Sequence, residues 1–286
     1  MKLMTDAPRH NLALMRISAH HKAKGDNVFL GSPLDEAEYS YGSWLFSKGY
    51  PCDKAGGPGY DISIRLNGVP VKPDYDLYNI DYSLGSTWEY CPRKCGFCCV
   101  PKQLNPKTHY SIWQFHDPEF NKICLLNNNT LTDPQWHETF EEIWDAGLVV
   151  IDENGYDLRL LSEESLLYLN KTRFEGMVHF AWDDIQDEQE IRRGLDVLVG
   201  IKHPVQIYVL VGFPDHRPID ETDLYRCQVI SDYGFDPFVM VYNRKPKSRE
   251  PRMVQLNQFQ RLVNRVFIWR KLGFKEAWRT YRCADK

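Results

Sequence analysis

From residue 80 onward, short apolar runs alternate with stretches whose apolar residues recur every three or four positions, the pattern of strands feeding helices. Ile80 to Thr87, Ile123 to Leu126, Leu148 to Ile151, Met177 to Trp182, Val205 to Val211 and Phe238 to Tyr242 read as six strands. Between them, Asp133 opens a helix with Pro134 in its first turn and Trp136, Phe140, Ile143 and Trp144 on one face, and Gly147 stops it. Ser162, followed by Glu163 and Glu164, opens another. Glu188 to Val199 and Glu221 to Asp232 supply two more. Strands alternating with helices predict parallel pairing with right-handed crossovers, an α/β fold. Before residue 80 the pattern is weaker: a helix from Asn11 to Ala23, a strand from Val28 to Leu30, then Pro51, Pro58, Pro70 and Pro73 as interruptions.

The first of the six strands runs into Cys91-Pro-Arg-Lys-Cys95-Gly-Phe-Cys98, three thiols at CxxxCxxC spacing. Three cysteines hold three irons of a 4Fe-4S cluster and leave the fourth iron open to a ligand that is not protein. Zinc is the alternative, but a structural zinc site takes four protein ligands, with a second pair downstream of the first. Cys52, Cys124, Cys227 and Cys283 are scattered singly, and Cys99 adjoins Cys98 too closely to share its metal easily. A disulfide framework belongs to small secreted domains, whereas this chain has 286 residues and ample apolar content. With no targeting segment read at its start, a mean hydropathy of -0.49 and no run near the roughly 18 apolar residues of a membrane span, the expectation is a soluble cytoplasmic protein away from membranes.

The cysteine loop after a strand of a repeated strand-helix series resembles the radical S-adenosylmethionine superfamily, whose CxxxCxφC loop binds a 4Fe-4S cluster that chelates S-adenosylmethionine. The resemblance implies an open, partial (β/α)6 barrel over residues 80–243. It also implies reductive cleavage of S-adenosylmethionine to methionine and a 5′-deoxyadenosyl radical, driven by an external electron donor of flavodoxin or ferredoxin type and directed at an unidentified substrate. Cys91, Cys95 and Cys98 would be the cluster ligands, and Phe97 fills the φ position, packed near the adenine.

The same resemblance places cofactor contacts at later strand ends, where α/β architectures collect function. Leu125-Leu126-Asn127-Asn128-Asn129 stands where the family carries a Gly-Gly-Glu-like motif, so Asn127 and Asn128 would offer amide oxygens to the cofactor ammonium; three consecutive asparagines are otherwise a turn. Arg159, in what reads as a short strand Asp157-Leu-Arg-Leu-Leu, would pair with the cofactor carboxylate, with an ordinary salt bridge as the alternative. Asp183 would meet ribose hydroxyls, next to Asp184 as a helix cap, and Gly212 in Val211-Gly-Phe-Pro214 would let the backbone approach the adenine or form a plain loop. Tyr208, Asn243 and Trp182 are candidates for substrate contact.

Both ends of the chain raise further expectations. Residues 1–79, with Gly56-Gly57-Pro-Gly59, resemble a shortened form of the Rossmann-like domain of cobalamin-dependent radical S-adenosylmethionine proteins. The family's Asp-x-His-x-x-Gly ligand signature is absent, and the region is short, so bound cobalamin is not expected; a cobalamin-dependent methyltransferase remains the alternative within the enzyme class. Residues 244–286 carry thirteen Lys or Arg against three Asp or Glu, a balance of +10 in a chain of formal net charge -4. Such asymmetry fits an anionic partner or substrate, including a nucleic acid stacked on Trp269, Trp278 and Tyr281. The preferred reading is a basic helical extension closing an acidic domain, its charges neutralised internally. A noncatalytic iron-sulfur or zinc protein that binds nucleic acid is the competing class.

Overall fold

The computed structural model describes residues 1–66, 71–103, 105–213 and 218–283. Pro70 and Pro214, both used in the sequence reading, lie outside the described residues. The chain divides into two compact units, Met1–Glu153 and Asn154–Lys286. The first takes in the N-terminal region and the first three expected barrel strands; the second takes in the last three and the basic helices.

In the first unit, β1 (Lys2–Thr5) leads into α1 (Leu12–Lys22), followed by β2 (Phe29–Leu30), β3 (Ser40–Ser43) and β4 (Lys54–Gly56). These strands form a parallel sheet in the order β2-β1-β3-β4, with Lys2 opposite Ser40 and Thr5 opposite Ser43. Asn11 caps α1 by accepting the Leu14 amide at 3.2 Å, and His20, His21 and Lys22 place positive or titratable groups at its C-terminal end. Leu14 and Ile17 pack with Leu3 of β1. Met15 instead joins Tyr75, Leu84 and Cys124 in a second core. Leu84 belongs to β5 (Ser83–Gly85) and Cys124 to β6 (Lys122–Leu125), so apolar packing binds the N-terminal region to the first strands of the expected barrel.

Parallel order with β1 between β2 and β3 creates a switch point at the C-terminal ends of β1 and β3, where doubly wound sheets bind ligands. Here the protein fills that place itself. The Asp6 carboxylate accepts the amides of Leu45, Phe46 and Ser47 at 2.7, 3.0 and 2.8 Å and the Ser47 hydroxyl at 2.9 Å. These bonds hold its pKa below the usual carboxylate value, against the opposing cost of burial. Gly57, at φ +96°, lies so close that a Cβ there would sit 2.5 Å from the Trp44 carbonyl. The glycine-rich stretch thus makes room for the loop after β3.

β5, β6 and β7 (Val149–Ile151) pair in parallel in sequence order, with Gly85 opposite Leu125 and Cys124 opposite Ile151. Between β6 and β7, α2 (Trp136–Asp145) buries Thr139, Phe140 and Ile143. It begins three residues after Asp133, whose carboxylate accepts the Gln135 amide at 2.9 Å.

In the second unit, α3 (Glu163–Lys171) starts at a reciprocal capping box between Ser162 and Ser165, followed by the two-residue β8 (Arg173–Phe174). β9 (Val178–Ala181), α4 (Glu188–Leu198), β10 (Val205–Val211), α5 (Leu224–Asp232) and β11 (Asp236–Val241) follow. β10 is the centre of a parallel sheet, flanked by β9 and β11, and buries Ile207, Val209 and Val211. Parallel α/β architecture is therefore present; no closed barrel forms among the described residues.

One expectation is corrected, and one open alternative is narrowed. Asp157 to Leu161 is a 3₁₀ turn over Leu158–Leu160 and not a strand, because the Asp157 carboxylate accepts the Arg159 amide at 3.2 Å and its carbonyl accepts the Leu160 amide at 3.0 Å. The basic C-terminal segment forms α6 (Pro251–Val263), α7 (Val266–Trp269) and α8 (Phe274–Cys283); four of its aromatics turn inward, while Phe267 is exposed and Tyr281 half-buried. Phe259 and Trp278 meet edge to face at 5.3 Å, Trp269 stacks on Phe274 at 4.1 Å, and all four are buried. Trp269 and Trp278 are core residues and present no open faces to bases. No helix among the described residues is long and apolar enough to cross a membrane.

Gly194 in α4 supplies a test of this packing. Helix propensity alone favours alanine over glycine by about 1 kcal/mol. A Cβ at Gly194 would lie 2.0 Å from the Leu158 carbonyl oxygen, a backbone atom that cannot swing aside. Gly194→Ala is expected to lower stability by roughly 1–3 kcal/mol, read as a lower midpoint of thermal unfolding.

Candidate functional site

The cysteine loop leaves β5 along a stem that is largely buried, and buried backbone must find partners. Asn127, two residues past β6, provides them. Its Oδ1 accepts the Thr87 and Trp88 amides at 2.8 and 3.0 Å and the Ser86 hydroxyl at 3.0 Å. Its Nδ2 donates to the Thr87 and Thr130 hydroxyls at 2.9 and 3.2 Å. Asn127 is 2% exposed, and offering its Oδ1 to a cofactor ammonium would require surrendering these bonds.

Its two neighbours reach farther along the same loop. Asn128 is exposed and donates to the Glu89 carbonyl. Asn129 is buried, and its Nδ2 lies 3.8 Å from the Cys91 sulfur. The sequence reading passed over Asn129; three identical letters conceal which one turns towards the thiols.

Cys91, Cys95 and Cys98 are half-buried, and Cys99 is exposed. Gly96 and Phe97 form the turn between the second and third thiols, closed by the Cys98 amide on the Cys95 carbonyl at 3.0 Å. Phe97 is half-buried. The Val100 amide donates to the Cys98 sulfur at 3.4 Å. Burial pushes the Cys98 thiol pKa up; the Val100 bond opposes this, while Cys99, Cys95 and Cys91 add to it. Among the described residues, no group of three or more His, Cys, Asp or Glu is placed to hold a single metal ion. As a donor set, soft thiols supported by N–H groups fit iron-sulfur or thiolate-zinc chemistry.

The return limb of the loop is tied to the same framework. The Tyr110 amide bonds the Thr87 carbonyl at 2.9 Å, and His109 Nδ1 lies 2.6 Å from the Asp133 carboxylate. Trp88 Nε1 donates to the Thr132 hydroxyl at 3.1 Å.

The second unit has its own strand-end arrangement. Arg226, 3% exposed, donates to the Trp182 and Leu210 carbonyls, just past β9 and near the end of β10, and to Asp223, each at 2.7 Å. Sequence reasoning missed Arg226; its signal was an arginine among Cys227, Val229 and Ile230, three residues after an aspartate. Trp182 is fully buried and its Nε1 donates to the Asp184 carbonyl at 2.9 Å, so it is a core residue and no substrate contact. Asp184 does cap the following turn, accepting the Gln186 amide at 3.0 Å. Tyr208 stacks on His179 at 5.0 Å, and Asn243 is exposed at φ +46°.

Arg159 grips Asp157 through Nε and Nη2 at 2.7 and 3.0 Å and Asp187 through Nη1 at 2.8 Å. The guanidinium is an ion-pair centre, and a ligand carboxylate would have to replace one of these partners. Gly212 has φ +80°, and a Cβ there would lie 2.8 Å from Leu256 Cδ1, so the close approach at this position is made by α6. Asp183 accepts the Leu210 amide at 3.2 Å, and burial raises its pKa to about 6 despite that bond and the nearby Arg226 and Arg159.

No family model matches this chain, and no curated protein matches it.

Two substitutions test these contacts. Asn127→Ala strands the buried stem donors, so a loss of roughly 3 kcal/mol is expected in denaturant unfolding of the apoprotein. Asp183 is disfavoured as a charged group in the fold. Its destabilising effect is absent below the unfolded pKa and grows as pH rises through about 6. Asp183→Asn keeps the acceptor for Leu210 and removes that charge. The variant is expected to exceed the parent in stability at pH 8 by up to ~3 kcal/mol, with the difference vanishing near pH 4.

Proposed function

We propose that the chain is a radical S-adenosylmethionine enzyme with an open, partial (β/α)6 barrel. The observation that carries this reading is a CxxxCxxC loop issuing from the first of successive parallel strands, with N–H donors already directed at two of its three sulfurs. Cys91, Cys95 and Cys98 would hold a 4Fe-4S cluster, and Phe97 would lie against the cofactor. When bound, the cluster would pass one electron from an external flavodoxin- or ferredoxin-type donor into S-adenosylmethionine, breaking its S–C5′ bond to give methionine and a 5′-deoxyadenosyl radical.

The chain's own residues then have definable tasks. The Asn127 amide fixes the stem from which Cys91 projects. Asn128, exposed beside the loop and bonded to the Glu89 carbonyl, is placed to turn its amide oxygen to a ligand ammonium. Arg159 would accept an anionic group by exchanging Asp187, which is more exposed than Asp157. Asp183, titrating near neutrality, would accept or donate to a hydroxyl according to its protonation. The inward aromatics of α6 and α8 speak against base stacking as the main business of the basic segment.

Anaerobic reconstitution with iron and sulfide tests the reading. The expected result is a 4Fe-4S spectrum and, after reduction with S-adenosylmethionine present, 5′-deoxyadenosine. Cys91→Ser, Cys95→Ser and Cys98→Ser are each expected to lose the product. A parent protein that assembles no such cluster, or assembles it and makes no 5′-deoxyadenosine, would refute the proposal.

A further inference from the structure

We propose that Asn129 is a positioning residue for the metal centre: its side-chain amide orients the Cys91 sulfur for iron and keeps donating to that sulfur afterwards, setting the potential and lifetime of the bound cluster. The inference rests on the iron-sulfur reading of the cysteine loop.

The geometry begins with Asn129 Nδ2 at 3.8 Å from Cys91 Sγ. Asn129 is held from its backbone side without any help from the sulfur. Its carbonyl accepts the Thr132 amide at 3.1 Å and the Thr132 hydroxyl at 2.8 Å, and that hydroxyl accepts Trp88 Nε1 at 3.1 Å. The residue is 7% exposed, so little water competes for the contact. Asn127, Asn128 and Asn129 bond in turn to Ser86–Trp88, to Glu89 and to Cys91, following the loop outward. The Asn129 backbone is therefore anchored beside the first thiol by bonds that do not involve the sulfur, and its side-chain amide extends from that point to Cys91 Sγ.

Chemistry gives the contact a consequence. An N–H directed at a metal-bound thiolate stabilises negative charge on sulfur, and a reduced cluster carries one more negative charge than an oxidised one. The donor thus favours the reduced state and makes the cluster easier to reduce. Cys98 takes its donor from the Val100 backbone, which no substitution at residue 129 removes. A change at residue 129 acts on Cys91 alone of these two. A purely structural asparagine would affect folding and leave the potential alone.

The test compares parent, Asn129→Asp and Asn129→Leu after anaerobic reconstitution, with two readouts besides activity: midpoint potential from a reductive titration followed by electron paramagnetic resonance, and the rate of iron loss to a chelator. Both variants remove the donor, and Asp preserves the shape. The expected result is a more negative midpoint and iron loss faster by about fivefold, the effect of one ordinary hydrogen bond. A third measurement needs no variant. Parent protein carrying ¹⁵N in asparagine side chains is expected to show a weak nitrogen coupling to the reduced cluster by pulsed resonance. Clusters with parental potential and iron retention in the variants, or no ¹⁵N coupling in the parent, overturn this inference and leave the proposed function standing. A parent that forms no cluster overturns both.

Discussion

The first unit is organised around one carboxamide. Asn127 gathers the donors of Ser86, Thr87 and Trp88 at 3.0 Å or less, in a place where the Thr87 and Trp88 amides have left the β5 ladder and are shielded from water. Leaving them unpaired would cost more than most single packing contacts contribute. Because Gly85 stands opposite Leu125, residue 127 necessarily falls beside the stem that continues from residue 85. Strand register therefore decides where the amide sits, the amide decides the course of the stem, and the stem delivers Cys91 to Asn129.

A charged counterpart operates in the second unit. Arg226 takes the carbonyls of Trp182 and Leu210, acceptors near the ends of β9 and β10, much as Asn127 takes the donors past β5. A buried guanidinium needs an anion, and Asp223 supplies it at 2.7 Å. Burial raises the pKa of Asp223 even against that arginine, and it raises Asp183 farther from its ordinary value into the neutral range. Backbone satisfaction at strand ends thus brings titratable side chains to the edge where α/β folds place their chemistry.

The sequence announces those parts whose local forces agree with the fold. Ser162 begins a helix because its own hydroxyl makes the cap, and β10 carries an apolar run long enough to be a central strand. β1, β3 and β4 read KLMT, SYGS and KAG, with almost no β-branched residues, and exist because they pair with one another; nothing local signals them. The stretch around Arg159 misleads for the opposite reason. Its alternation imitates a strand, while a single Asp157 side-chain bond to the backbone selects a turn. The aromatic spacing of the basic segment was compatible with stacking or core, and burial of Phe259, Trp269 and Trp278 selects core.

The asparagine run marks the limit of such reading and locates the freedom left in the site. Its composition announces polar bonding, but only the register with β5 sends Asn127 inward, Asn128 outward and Asn129 to sulfur. With Cys91 approached by Asn129, and Cys98 tied to the Cys95 carbonyl and the Val100 amide, both ends of the motif are already constrained. Pro92 and Lys94 between them are exposed, and no residue from 91 to 95 belongs to a helix or strand. Residues 92–94 therefore keep the rotational freedom that the anchored ends have given up. Proline at 92 narrows that rotation further by fixing its own φ. The clamp thus confines the freedom of the loop to one short link, so much of the entropy of ordering residues 91–98 is settled by the fold itself.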